Sequence, residues 1–269
     1  MKWHPSVEVG GSTSLKRRHE CGSNTGKLVL PNHTIPCMTH AMSVIQKLKE
    51  RGLLHSIEIV FNRIVPAWLF RYCTGIVFEL DPQKLAEVLN GMDNSDFVLT
   101  CVEQGSQARD QLRTLTWNSV PVETSSNDFG YSIAQVSTPD DVLGGVWAGI
   151  ESFQEDNLGF QLQFDDHQSW IYCVYVNQDA QGKGVYKRLL SFGTSDLIEK
   201  GYRRIYVVIQ PWNKASAYIH SKYAKGKIGT ITGVRVFSLC AVFSTGAVEK
   251  DRTITGSPLS KPVQLRIRD

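Results

Sequence analysis

Gly182-Lys183-Gly184 follows an apolar run, Ile171 to Val176, across a short polar loop, and it opens a helical stretch, Val185 to Lys200. A strand that ends in a glycine-rich turn and feeds a helix N-terminus is a cradle for an anion. Glycine lets the backbone approach closely, free N–H groups point at the charge, and the helix dipole favours it. The chemistry expected here is phosphate binding, with Lys183 or Lys187 adding charge beside it. A glycine-rich turn alone is weak evidence, so its flanks decide what it means.

Other reactive side chains are scattered. The six cysteines, Cys21, Cys37, Cys73, Cys101, Cys173 and Cys240, include no Cys-x-x-Cys pair, and no His/Cys grouping has zinc-ligand spacing. No metal is expected. Cys101, Cys173 and Cys240 lie in apolar runs and read as buried free thiols, which suits a reducing, cytoplasmic setting. Cys173 lies mid-strand with no base near it in sequence, which argues for a buried thiol over a nucleophile.

The elements that must position the turn follow from periodicity. Residues 1–26 are polar and rich in Gly and Ser and read as a disordered leader, in which Lys16-Arg17-Arg18 is a solvated cluster. Residues 27–95 form an N-terminal extension of unknown role. It has a helix from Thr39, strand or buried segments at Ile57 to Phe61 and Gly75 to Leu80, and a helix from Gln83 to Leu89. The turn-rich cluster Asn90 to Asp96 marks a boundary before a domain of residues 96–269. In that domain the reading is a strand from Phe97 to Val102, a helix from Ser106 to Leu115 and a loop over 118–130. Strands follow at Val142–Phe153, Gly159–Phe164 and Trp170–Val176, then the helix Val185–Lys200. A buried strand Ile205–Ile209, a helix Asn213–Ala224 and a strand Val234–Phe243 come next, with a loop over 246–260 and a final strand Val263–Ile267. This order predicts an α+β fold with a mostly antiparallel sheet.

Over about residues 97–245 the chain resembles the GCN5-related N-acetyltransferase (GNAT) family. The pyrophosphate signature of that family, Gln/Arg-x-x-Gly-x-Gly/Ala after a strand valine, reads here as Gln181-Gly182-Lys183-Gly184-Val185-Tyr186 after Val176. Tyr186 stands where the family has Gly or Ala. A second motif has Asn, then Ala or Ser, then Tyr, then Gly. Asn213 and Ser216 match it, while His220 takes the Tyr position and Ala224 the Gly position. The resemblance implies a mixed, mostly antiparallel central sheet with helices on both faces, and a cleft where the strands ending at Val176 and Ile209 splay. In it, acetyl-CoA would bind as co-substrate. Tyr175 and Val176 would pair with the pantetheine amides, the N–H groups of Gly182 to Tyr186 would hold the pyrophosphate, and Asn213 would bond the pantetheine arm or the Pro211-Trp212 turn.

The activity so implied is acetyl transfer to a primary amine of a small molecule, amino sugar, amino acid or peptide, by direct attack in a ternary complex. His220 is the first candidate for general acid, by its position, with Tyr218 and Tyr223 as alternatives. Glu151, Asp165, Asp166, His167 or a water chain are the options for a base. The loop Asn118 to Gly130 and the aromatics Trp117, Phe129, Tyr131, Trp147 and Trp170 are candidates for shaping the acceptor site. The departures at Tyr186, His220 and Ala224 keep a second reading open, an inactive acyl-CoA sensor or scaffold. Transfer of a different acyl group is a third.

A chain of 269 residues with net charge +3 carries no basic stripe with interleaved aromatics, so no nucleic-acid partner is expected. Polar residues break the most apolar region, Ile57 to Leu80, and exclude stable membrane insertion as an expectation, leaving only an interfacial patch at Val65 to Phe70 as an alternative to burial. Self-association into a homodimer stays open.

Overall fold

The computed structural model describes residues 64–66, 69–116, 127–259 and 261–268. The expected leader, its basic cluster, the helix from Thr39, the segment Ile57–Phe61 and most of the loop Asn118–Gly130 lie outside the described residues, as do Trp117 and the central part of the Val65–Phe70 patch. No helix among the described residues is long and apolar enough to cross a membrane.

The first strand, β1 (Phe70–Leu80), leads into helix α1 (Pro82–Asn90). Asp81 starts that helix: its Oδ1 accepts the N–H groups of Gln83 and Lys84, and Pro82 stands in the first turn, where its missing donor costs nothing. There follow β2 (Phe97–Val102), α2 (Gln107–Thr116), β3 (Phe129–Gln135), β4 (Thr138–Gly149), β5 (Ser152–Glu155), β6 (Phe160–Gln163) and β7 (Gln168–Val176). The chain then forms α3 (Val185–Glu199), β8 (Arg204–Ile209), α4 (Lys214–Tyr223), β9 (Ala224–Val236), β10 (Leu239–Gly246), β11 (Val248–Lys250), β12 (Ile254–Thr255) and β13 (Val263–Ile267).

Among the described residues, nine strands make one sheet in the order β12-β10-β9-β1-β8-β7-β4-β3-β2, and four make a second, β11-β13-β6-β5. In the large sheet only β7 and β8 run parallel; every other pairing is antiparallel. Helices α1, α3 and α4 cover one face of it, where Leu85, Val185, Leu189, Leu190 and Leu197 pack on Ile171, Ile205 and Val207. Helix α2 and the small sheet cover the other, where Leu112, Leu162 and Leu265 meet Trp147, Trp170 and Tyr206. Each such fully buried side chain contributes roughly 1.5–3 kcal/mol. The fold is α+β with a mostly antiparallel sheet, as the element order predicts, and has helices on both faces of it, as the resemblance implies.

Several local expectations change, among them the loop over 246–260, which holds strands β11 and β12. Phe129-Gly130-Tyr131-Ser132-Ile133 alternates and forms β3, so the expected loop already ends at Phe129, which pairs with Ala148. The expected strand Val142–Phe153 is two strands of different sheets, broken at Ile150-Glu151. The expected strand Val234–Phe243 straddles a hairpin: apolar residues continue through the turn, but Phe237 takes φ of 55° and reverses the chain between β9 and β10.

Strand β1 belongs to the segment read as an N-terminal extension, yet it lies between β8 and β9, antiparallel to both. Glu79 fastens it there. Its carboxylate receives Arg204 of β8 at 2.9 Å and Lys225 of β9 at 2.9 Å. Burial pushes the Glu79 carboxyl up, and the bonds and charges of Arg204 and Lys225 outweigh that, leaving it below the ordinary value.

Candidate functional site

The site begins where two strands part. Strands β7 and β8 pair in parallel from Gln168–Arg204 to Ile171–Val207 and no further, although β7 runs on to Val176 and β8 to Ile209. In the same stretch β7 bulges against β4. Gly145 pairs with Tyr175 and Trp147 with Tyr172, so two residues of β7 oppose Val146 alone. Cys173 takes up the extra length at φ of 51°. A cavity of about 710 Å³ fills the opening, lined by Tyr172 to Val176 on one wall and Val207 to Gln210 on the other.

Gln181 and Tyr186 of the lining flank the glycine turn, whose residues Gly182 to Val185, like Lys187, stand outside the lining. Asn177 donates its N–H to the Leu143 carbonyl at 2.7 Å and caps a single 3-10 turn, Gln178–Ala180. Gly182 and Gly184 follow at φ of 78° and 75°, a conformation that glycine adopts without cost. The turn uses the N–H groups of Gln181 and Lys183 itself. Those of Gly182, Gly184, Val185, Tyr186 and Lys187 have no protein acceptor among the described residues, and the first bond into α3 is Arg188 N–H to the Gly184 carbonyl. Arg188, which the sequence did not single out, stiffens the turn. It bonds the Lys183 carbonyl at 3.1 Å, Asn94 Oδ1 at 2.9 Å and the Asp93 carbonyl at 2.7 Å, while stacking over Phe97. The turn thus presents donors and no bulk, which fits a diphosphate.

Tyr186 turns away from the loop's donors. Its ring lines the cavity, and its hydroxyl lies 2.5 Å from His220 Nε2. His220 is fully buried, and its Nδ1 lies 2.7 Å from the Ser216 carbonyl. A carbonyl only accepts, so Nδ1 carries the hydrogen and Nε2 accepts from Tyr186. Burial lowers the His220 pKa, against a smaller opposite effect of the Ser216 bond, and the imidazole is neutral at pH 7. Burial also raises the Tyr186 hydroxyl pKa. Ser216 and Asn213 both line the cavity, and Asn213 Oδ1 accepts the Ser216 N–H at 3.2 Å, so its carbonyl caps α4 and only its NH₂ faces a ligand.

The remaining candidates stand elsewhere. Tyr218 is 70 % exposed, and Tyr223 is buried in the core beneath Lys187 and Lys222; neither lines the cavity. Glu151 is exposed and accepts Asn127 Nδ2 at 2.9 Å. Asp165, Asp166 and His167 lie in the turn before β7, outside the cavity. Lys183 is exposed at the turn, whereas Tyr175, Val176 and Gln181 line the cavity. The thiol of Cys173 lines it too, but burial, with Glu155 and Asp128 nearby, pushes its pKa up to about 12, so it supplies no thiolate.

An aromatic part of the cavity lining holds Trp170, which the sequence singled out, together with residues that sequence reasoning missed. Phe153 and Glu155 of β5, Phe160 of β6, and Trp170 and Tyr172 of β7 face one another there. The Tyr172 hydroxyl donates to Asp128, whose backbone carbonyl takes Arg109 at 2.7 Å. Burial raises the Asp128 carboxyl to about 6, in spite of Tyr172, Ile150 and Arg109. Among the described residues no three His, Cys, Asp or Glu side chains converge as a metal site.

Residues 102–224 match the acetyltransferase (GNAT) family. No curated protein matches the sequence. Similar solved structures include an aminoglycoside acetyltransferase from an uncultured soil metagenomic sample in complex with trehalose, at 14% identity over 48% of this chain and 88% of that one, with a TM-score of 0.36. A GCN5-related N-acetyltransferase from Kribbella flavida is 10% identical over 66% of this chain and 72% of that one, at a TM-score of 0.44. AAC(6')-Iy in complex with the bisubstrate analog CoA-S-monomethyl-acetylneamine is 14% identical over 47% of this chain and 88% of that one, at 0.35.

Proposed function

We propose that this chain, whose residues 102–224 form a GNAT-family domain, is an N-acetyltransferase that moves the acetyl group of acetyl-CoA to a primary amine by direct attack in a ternary complex. The acceptor classes in view are a small molecule, an amino sugar, an amino acid or a peptide, and the setting is the cytoplasm. The observation that supports this reading is the continuity of the cavity. Its lining takes in Gln181 and Tyr186, which flank the donor-rich turn, the edge that β7 presents once β8 has left it, and the aromatic residues Phe153, Phe160, Trp170 and Tyr172.

In this reading the N–H groups at the start of α3 hold the diphosphate, and Tyr175 and Val176 offer main-chain groups to the pantetheine amides. A main-chain N–H of the bulged stretch of β7 polarises the thioester carbonyl, where negative charge grows as the amine attacks. Proton delivery to the departing thiolate is assigned to the Tyr186–His220 pair. His220 is not in the cavity lining and in its neutral form has no hydrogen on Nε2, so in this reading the Tyr186 hydroxyl delivers the proton and the imidazole holds it in place.

The same pair favours a second reading, a non-catalytic acyl-CoA sensor, because both of its members have pKa values moved away from neutrality. One measurement separates the readings. Acetyl-CoA is expected to raise the melting temperature in either case. Thiol release in the presence of an amine panel is expected only of the enzyme, and no release at saturating acetyl-CoA with any amine overturns the catalytic reading. Comparing acetyl-CoA with longer acyl-CoA donors in the same assay tests the acyl group.

A further inference from the structure

We infer that the aromatic end of the cavity is the acceptor subsite, that it takes a primary amine carried on an apolar group of about the size of an aromatic ring, and that Glu155 is the base that deprotonates the amine. The inference rests on the acyl-transfer reading and adds to it a substrate class and a catalytic residue.

The register of the small sheet sets the geometry. Strand β5 alternates, so Phe153 and Glu155 project from the same face. That face is turned to β7, since the Phe153 ring stacks on Trp170 at 6.2 Å and meets Tyr172 at 5.5 Å. On the partner strand, Phe160 pairs with Glu155 and lies buried, as does Leu158 in the connecting turn. Glu155 is therefore a single carboxylate set in an aromatic and aliphatic wall. One of its oxygens, Oε1, accepts the Asn157 N–H at 3.2 Å, and the Asn157 side chain also bonds the carboxylate, so its partners there are neutral.

A carboxylate in such a wall needs a cation or a proton. An ammonium on a flat apolar body satisfies it, with the body against Phe153, Trp170 and Tyr172, whose ring faces also attract positive charge. A sugar or other polar acceptor would leave its hydroxyls against hydrocarbon, and a long acyl tail would leave Glu155 without a cation. Glu155 also stands near the bulge at Cys173, where its charge is felt by the thiol. Desolvation holds its carboxyl above the usual range, which makes it a stronger base than a solvated glutamate.

Glu155 takes one proton from the ammonium. The freed lone pair forms the C–N bond at the thioester carbonyl, and the C–S bond breaks. The nitrogen loses a second proton as the thiolate becomes a thiol, and the amide keeps the third. Glu155 then returns its proton to water.

The test uses the full chain with acetyl-CoA and thiol release as readout, on 2-phenylethylamine, glucosamine and glycine. The expected result is a kcat/KM for 2-phenylethylamine at least about tenfold above the other two, the scale on which an apolar pocket discriminates. Glu155→Gln is expected to lower that value about 100-fold, the contribution of one acid–base group, while the melting shift produced by CoA stays as in the parent. With an aniline, which is neutral at pH 7, the loss in Glu155→Gln is expected to shrink. Preference for glucosamine or glycine, preference for octanoyl-CoA over acetyl-CoA, unchanged turnover in Glu155→Gln, or CoA binding without turnover of any amine each overturns the inference. A CoA titration with no melting shift is a different failure, since it sinks the acyl-transfer reading beneath it.

Discussion

Tyr186 and His220, 34 residues apart in the chain, meet across 2.5 Å with the hydroxyl hydrogen directed at Nε2. One comes from the first turn of α3 and the other from the last turn of α4, so the contact ties the two helices together. Tyr186→Phe removes the hydroxyl assigned to proton delivery and leaves a buried imidazole nitrogen unpaired. The expected outcome is a kcat lower by about 100-fold and a stability loss of about 1–3 kcal/mol, with the CoA-induced melting shift retained. Retained kcat removes the pair from proton delivery.

Gly184 caps α3 in the left-handed region, and a Cβ there would stand 2.9 Å from Arg188 Nη1. Gly184→Val therefore strains the backbone and pushes away the side chain that stiffens the turn. A cost of about 1–3 kcal/mol is expected, together with a weaker melting shift at a fixed CoA concentration. Wild-type CoA affinity in this variant would count against the cradle.

Asp128 holds Tyr172 against the aromatic end, and its folded pKa of about 6 lies above the ordinary carboxylate value. The folded state then binds the proton more tightly than the unfolded chain, so the contribution to stability is full below the unfolded pKa and is lost as pH rises through about 6. Relative to Asp128→Asn, the parent is expected to lose roughly 2–3 kcal/mol of unfolding free energy between pH 4 and pH 7. Urea unfolding of both proteins at the two pH values measures it. A difference that does not change with pH refutes the assignment.

Glu79 ties β1 to both of its neighbours. Glu79→Ala leaves Arg204 and Lys225 without their carboxylate, at an expected cost of about 3–5 kcal/mol for a buried pair broken from one side. Both cations keep some solvent access, which places the effect toward the lower end. A fragment of residues 96–269 lacks β1 altogether and is expected to show no cooperative melting, because β8 and β9 do not pair with each other. A sharp transition in that fragment would show that β1 is dispensable.

What the sequence made legible was local. Val176, Gln181, Gly182, Gly184, Asn213 and Ser216 lie within single turns and carry their geometry in their spacing. The spacing also marked His220 as a special position, but its partner Tyr186 registered only as a bulky departure, since a contact between two helices leaves no local pattern. Glu155 was invisible for a related reason. A lone glutamate in a four-residue strand acquires meaning only through the register of β5 on β6 and the packing of Phe153 on β7. The place of β1 was equally hidden. Its apolar residues say that it is a strand, but nothing local says which strands it separates.

The position of β1 has a bearing on how a nascent chain reaches this shape. Glu79 waits for Arg204, 125 residues later, and for Lys225, 146 residues later, before either edge of its strand is covered. Until then an apolar strand with two bare edges is present during synthesis, a template for pairing with other chains. Slow refolding, limited by closure of these long loops, and a gain in yield from chaperones or dilution are the expected biochemical signature of that topology.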